Sequence, residues 1–149
     1  MLERGDGLES TALGQAFRPD AIVLQCGSDA VTEDPQSRLS LSNNAHIAYA
    51  AALRPMSPRF LVLGGGGYNP WSVGRCWTSV WATLNGFDIP DVLPDPAQTV
   101  LRALTWDKKR FIAPPEDWVT TLRDIPRGGP INAEVRARIT TLRERDLWT

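Results

Sequence analysis

The chain has 149 residues, which is one domain at roughly 100–200 residues per domain. Its 16 Lys and Arg against 17 Asp and Glu give a net charge of -1, without the basic excess of a dedicated nucleic-acid binder. The 42% of hydrophobic residues exclude a disordered tail, and no run approaches the roughly 18 apolar residues of a membrane span. A single histidine, His46, excludes any mechanism that draws two histidines from this chain. Cys26 and Cys76 form no disulfide framework, and with no signal-like start they point to a reducing, cytoplasmic setting.

Residues 1–16 read as a loose start, with Leu8, Ala12, Leu13 and Ala16 at the spacing of a short helix. Pro19 biases Arg18 towards an extended conformation. Ala21–Cys26 is a short continuous apolar run ending at Gly27, the pattern of a parallel strand covered on both faces. Residues 28–43 are polar and turn-rich, too long for a simple connection, so they are either functional or spread over the surface. Asn43 or Asn44 is a candidate cap for a helix through Ala45–Leu53, which Pro55 and Pro58 stop. Arg59–Leu63 is a second buried strand. Strand, helix, strand over this distance is a βαβ unit, so the two strands should be parallel.

Asn69-Pro70 is a helix start, and Val73, Cys76, Trp77, Val80, Trp81 and Leu84 recur at helical spacing up to Asn85-Gly86. Apolar round much of its circumference, this helix should be deeply packed. A Pro-rich stretch follows, with a short helix at Thr99–Leu104, a loop-rich region over 106–130, and a last amphipathic helix from about Asn132 to Arg145. The stripe of that last helix is Val135, Ile139 and Leu142. Six Trp suggest core packing, since no basic residues interleave them as on a base-stacking platform.

The candidate chemistry lies at the strand ends. Gly64–Gly67 sits between a strand and a helix, where open α/β sheets bind ligands. Neither phosphate motif is spelled: Tyr68-Asn69 stands where a P-loop needs Lys-Ser/Thr, and Asn69 where a dinucleotide loop needs its third glycine. A tight turn and a ligand site both remain open on the glycines alone. Asp29 and Tyr68 follow the carboxyl ends of the two strands, so a carboxylate and a phenol share one rim. A hard metal ligand and a carbonyl-polarising hydroxyl would look like this, as would a turn residue and a packing residue. His46 lacks ligand partners at helical spacing and reads as a surface or capping histidine. Cys26 and Cys76 read as inert core thiols.

Taken together, Phe17-Arg-Pro-Asp-Ala-Ile-Val-Leu-Gln-Cys-Gly-Ser-Asp29, Asp34-Pro35, Leu61-Val-Leu-Gly-Gly-Gly-Gly-Tyr-Asn69 and Arg75-Cys-Trp-Thr78 resemble the histone deacetylase family. The resemblance covers about residues 17–86, and Leu104-Thr-Trp-Asp107 is similar to the bacterial acetoin utilization branch. It implies an α/β arginase/deacetylase-like fold with a parallel sheet, and zinc-dependent removal of acetyl groups from lysine or small amines. By resemblance, Asp29 is one of three protein zinc ligands and Tyr68 donates its hydroxyl to the substrate carbonyl. Gly66 and Gly67 let the acyl channel pass close to the backbone. Gln36 stands where many members carry an apolar pocket residue. The family's other aspartate and histidine ligands and its paired histidines precede the first motif. The expectation is a carboxy-terminal portion, inactive by itself: a remnant over 1–16, core motifs over 17–86 and a Pro-rich helical tail over 87–149. Cutting such a domain exposes apolar surface and invites aggregation. Two other roles are a truncated product that binds a complementary deacetylase half, and, from Gly64–Gly67 alone, a small nucleotide-binding protein. No direct nucleic-acid or membrane contact is expected.

Overall fold

A computed structural model describes residues 14, 16–107, 113–127, 130 and 132–143. Leu8, Ala12, Leu13 and Trp148 lie outside the described residues. Strand β1 (Ala21–Gln25) pairs in parallel with β2 (Arg59–Leu63), with Val23 opposite Leu61, and helix α1 (Asn43–Leu53) connects them. The βαβ unit expected from the apolar runs is therefore present. Arg18 departs from the expected extended backbone. It takes φ +48°, and its N–H donates to the Gly14 carbonyl at 2.9 Å, closing a turn just before β1.

The sheet is covered on one face only. Leu24 and Cys26 pack with Ala50 and Leu53 of α1 and with Val80 of helix α2 (Pro70–Leu84), and Phe60 and Val62 join them. The opposite face carries Val23, Leu61 and Leu63, which are 63%, 55% and 46% exposed. The expectation of strands buried on both faces is corrected here. Helices α1 and α2 lie on the same side, and no described element covers the other. An apolar run records that two layers suit the strand and does not supply the second one.

Helix α2 begins as its sequence dictates. Pro70 occupies the first turn, where a missing N–H costs nothing, and Asn69 Oδ1 accepts from the N–H groups of Trp71 and Ser72 at 3.1 and 3.3 Å. It ends at Gly86, whose φ of +72° is a left-handed conformation that glycine adopts without steric cost. The helix is less buried than its pattern suggests. Cys76 and Val80 are inside, but Trp81 is 58% exposed and stacks on Phe87 with ring centroids 5.2 Å apart. Helix α1 is also capped differently: Ser42 is its N-cap, and Asn43 and Asn44 stand in its first turn.

Those two asparagines hold the tail. The Asn43 N–H donates to Asp124 Oδ2 at 2.6 Å, its side-chain amide donates to the Leu122 carbonyl at 2.7 Å, and the Asn44 amide donates to the Asp124 carbonyl at 2.9 Å. From α2, the buried Arg75 pairs with Asp124 Oδ1 at 2.8 Å and donates to the carbonyls of Thr121 and Arg123. Helices α3 (Asp95–Ala103) and α4 (Glu116–Thr120) close over the start of α2. Trp71 contacts Trp118 and Trp106 at 6.2 Å each, and its indole N–H donates to the Leu101 carbonyl. Helix α3 starts four residues before the expected Thr99, with Asp95 in its first turn. In α5 (Ala133–Arg143), Val135 and Leu142 are exposed, so the expected stripe does not reach the core.

Candidate active site

The candidate residues Asp29 and Tyr68 lie just past the ends of β1 and β2. After β1 the chain turns through a short 3-10 helix, Ser28–Ala30, that carries Asp29. The Ser28 N–H donates to the Gly66 carbonyl at 2.8 Å, and the Trp77 indole N–H donates to the Cys26 carbonyl at 2.8 Å. These bonds press the glycine stretch against the Asp29 turn. A Cβ on Gly66 would lie 1.9 Å from Asp29 Oδ2, and one on Gly67 would lie 2.2 Å from Ser28 Oγ and 2.6 Å from a Val73 methyl. A side chain at Gly66 would have to displace the Asp29 carboxylate, and one at Gly67 would have to displace Ser28 and Val73. The space that Gly65, Gly66 and Gly67 leave is taken by Gln25, Gly27, Ser28 and Asp29. The glycines therefore serve close packing of the two strand ends, which removes the motive for the nucleotide reading.

Asp29 is half-buried, and its carboxylate accepts no hydrogen bond from any described residue. Asp34 and Asp124 contrast with it, since their carboxylates are fully engaged within the fold. An uncommitted carboxylate at a strand end is free to meet a cation. Tyr68 is 47% exposed on the same rim, and its hydroxyl bonds to no described residue. Its main chain is held, because the Tyr68 N–H donates to Asp34 Oδ2 at 2.6 Å. Gln36 is exposed, and its N–H donates to Asp34 Oδ1 at 2.9 Å. The long 28–43 connection is thus an ordered loop, also pinned by Val31 bridging Leu41 in parallel and by Arg127 reaching Glu33.

Asp29 also lines a mostly apolar cavity of about 490 Å³ along β1, with Leu24, Cys26, Leu41, His46 and Tyr49. His46 is neither a surface residue nor a cap. Its Nε2 lies 2.9 Å from the Gly27 carbonyl, so Nε2 carries the proton, and Nδ1 is buried with no partner. Sequence reasoning missed this contact and the Asp34 one. Asp34-Pro35 reads as a turn, and nothing local ties position 46 to position 27.

Both cysteines are buried and free, as expected. Burial first, then the neighbouring Cys26 and Asp124, pushes the Cys76 thiol from 9.0 up to about 12. The unfolded chain therefore loses this proton before the folded one does. Stability from Cys76 is complete below pH 9 and should fall as pH rises from 9 towards 12. Urea melts across that range check it, and Cys76→Ser should flatten the slope.

The family model described as histone deacetylase domain matches residues 9–84, just over half of the chain. The chain belongs to the histone deacetylase family. Putative histone deacetylase 2 of Caenorhabditis elegans is 41% identical over 78 residues, which are 52% of this chain and 15% of that protein. Histone deacetylase 1 of Homo sapiens is 38% identical over 80 residues, 54% of this chain and 17% of that one. The crystal structure of an HDAC homolog from Aquifex aeolicus superposes with a TM-score of 0.74 at 27% identity, covering 91% of this chain and 38% of that one. An HDAC homolog complexed with SAHA superposes with a TM-score of 0.73 at 29% identity. The arginase/deacetylase-like α/β fold follows. The chain spans less than a fifth of the curated relatives and under two fifths of the solved structures. Deacetylases of this family imply zinc. Asp29 fits as one hard oxygen donor, but among the described residues no group of three or more His, Cys, Asp and Glu could hold a metal. The described residues therefore do not make a complete zinc site. No helix among them is long and apolar enough to cross a membrane.

Proposed function

We propose that this chain supplies one side of a zinc-dependent deacetylase centre that acts on acetyl-lysine or a small acetylated amine. Asp29 would be one of the zinc ligands, and Tyr68 would donate its phenolic O–H to the acetyl carbonyl as negative charge builds on that oxygen. Bound zinc would supply Lewis acidity and an acidified water. Gly66 and Gly67 would keep one wall of the acyl channel at backbone height, and Gln36 would give that wall a polar edge. The observation that carries the reading is the uncommitted Asp29 carboxylate, packed on Gly66 at the rim that also bears Tyr68.

The division into a remnant over 1–16, a core over 17–86 and a tail over 87–149 belongs to the same proposal, as does the acetoin utilization branch suggested by Leu104–Asp107. Free, buried Cys26 and Cys76 suit a cytoplasmic setting. With one histidine in 149 residues and one candidate ligand, the chain by itself should not deacetylate. The exposed Val23, Leu61 and Leu63 favour the second reading as well, in which the chain binds a complementary deacetylase half.

The test pairs metal content with turnover. The 149-residue chain alone should turn over no acetyl-lysine peptide, whereas the domain completed by a complementary half should bind zinc and be active. Asp29→Ala in the completed domain should cut its zinc content. Turnover by the chain alone, or full zinc retention in the variant, would contradict the proposal.

A further inference from the structure

We propose that Asp34 is the positioning residue for Tyr68, its buried carboxylate fixing the Tyr68 main chain against the loop that bears Asp29. The inference rests on the reading of Tyr68 as the carbonyl-polarising group. Asp34 is 4% exposed, and both of its carboxylate oxygens are engaged. Oδ2 accepts from the Tyr68 N–H at 2.6 Å, and Oδ1 accepts from the Gln36 N–H at 2.9 Å. Its own main chain is tied down on both sides, with its N–H on the Val31 carbonyl and its carbonyl accepting from the Ser37 N–H, each at 3.1 Å. The anchor is thus fixed before it holds anything else.

Tyr68 needs such an anchor. Gly64–Gly67 precede it, and glycine leaves the backbone its widest freedom. Its hydroxyl bonds to no described residue, and the side chain is half-exposed, so its direction falls to the main chain. The next residue repeats the tether. Buried Asn69 caps α2 with Oδ1 and donates through Nδ2 to the Glu33 carbonyl at 2.9 Å. Residues 33 and 34 therefore grip residues 68 and 69. The Asp34 contact is the charge-assisted one, and such bonds are roughly twice as strong as neutral ones. A carboxylate buried this way holds its donors firmly, because water does not replace them.

The test has a direct arm and a catalytic arm. In the full 149-residue chain, through-bond coupling between the Tyr68 amide nitrogen and the Asp34 carboxyl carbon should be detectable by NMR without any substitution. In Asp34→Asn, amide exchange at Tyr68 should rise roughly tenfold or more, one factor of ten for each 1.4 kcal/mol lost, while the Cys26 and Trp71 amides stay near their original rates. Absent coupling, unchanged Tyr68 exchange, or equal acceleration at all three amides would overturn the proposal. In the completed deacetylase, Asp34→Asn should lower kcat by about 10–100-fold with little change in KM, the pattern of a displaced reacting group. An unchanged kcat, or a loss seen only in KM, would overturn it too. If Tyr68→Phe leaves turnover intact, the reading of Tyr68 fails, and the coupling and exchange results still decide whether Asp34 anchors the turn.

Discussion

Tyr68→Phe in the completed deacetylase is expected to lower kcat by about 10²–10³-fold, the effect of removing one donor to a developing oxyanion. The substitution deletes one oxygen and leaves the ring. Tyr68 is half-exposed and its hydroxyl bonds to no described residue, so no fold contact is lost. The melting temperature should therefore stay within about a degree or two, since surface changes of this kind are usually within ±0.5 kcal/mol. KM should change little, because the bond strengthens in the transition state more than in the ground state. Steady-state kinetics on an acetyl-lysine peptide, with a thermal melt of the same preparation, separate this from a folding defect.

Arg75→Ala is expected to have the largest effect on stability. Arg75 and Asp124 are both buried, and the pair is joined at 2.8 Å. Removing the guanidinium strands the Asp124 carboxylate and frees the carbonyls of Thr121 and Arg123. Breaking one side of a buried pair costs about 3–5 kcal/mol. The melting temperature should fall by roughly 10 °C or more. The 121–124 segment should also become the first site of limited proteolysis, since it is the segment these bonds hold. An exposed ion pair serves as control: Arg102→Ala, which loses its partner Glu116 at the surface, should leave the melting temperature close to that of the unsubstituted chain.

The fold and the site were legible in the sequence to different depths. Two apolar runs separated by a capped helix gave the parallel β1–β2 pair, and Asn69-Pro70 gave the start of α2, because strand pattern and cap chemistry are local. Asp29 and Tyr68 shared a rim for the same reason: parallel strands place their carboxyl ends together. Exposed apolar surface was expected of a cut domain, but that Val23, Leu61 and Trp81 carry it was not legible, since a residue's apolarity does not say on which face a second layer is missing. The tail clamp was hidden by distance. Asn43 meets Asp124 some 81 positions away, and each looks locally like an ordinary cap or loop residue. Asp34 was hidden by its neighbour Pro35, which made a tether look like a turn. His46 does stand near a helix start, as its sequence context suggests, but it does not cap that helix. Its ring reaches back 19 residues to Gly27 rather than to the helix end.

The most direct measurement is turnover of an acetyl-lysine peptide by a chimera in which residues 17–86 replace the matching segment of a complete family deacetylase. The account predicts zinc-dependent activity in the chimera, its loss with either Asp29→Ala or Tyr68→Phe, and none from the 149-residue chain alone. A chimera that folds but stays active after both substitutions would contradict the assignment of the site to Asp29 and Tyr68.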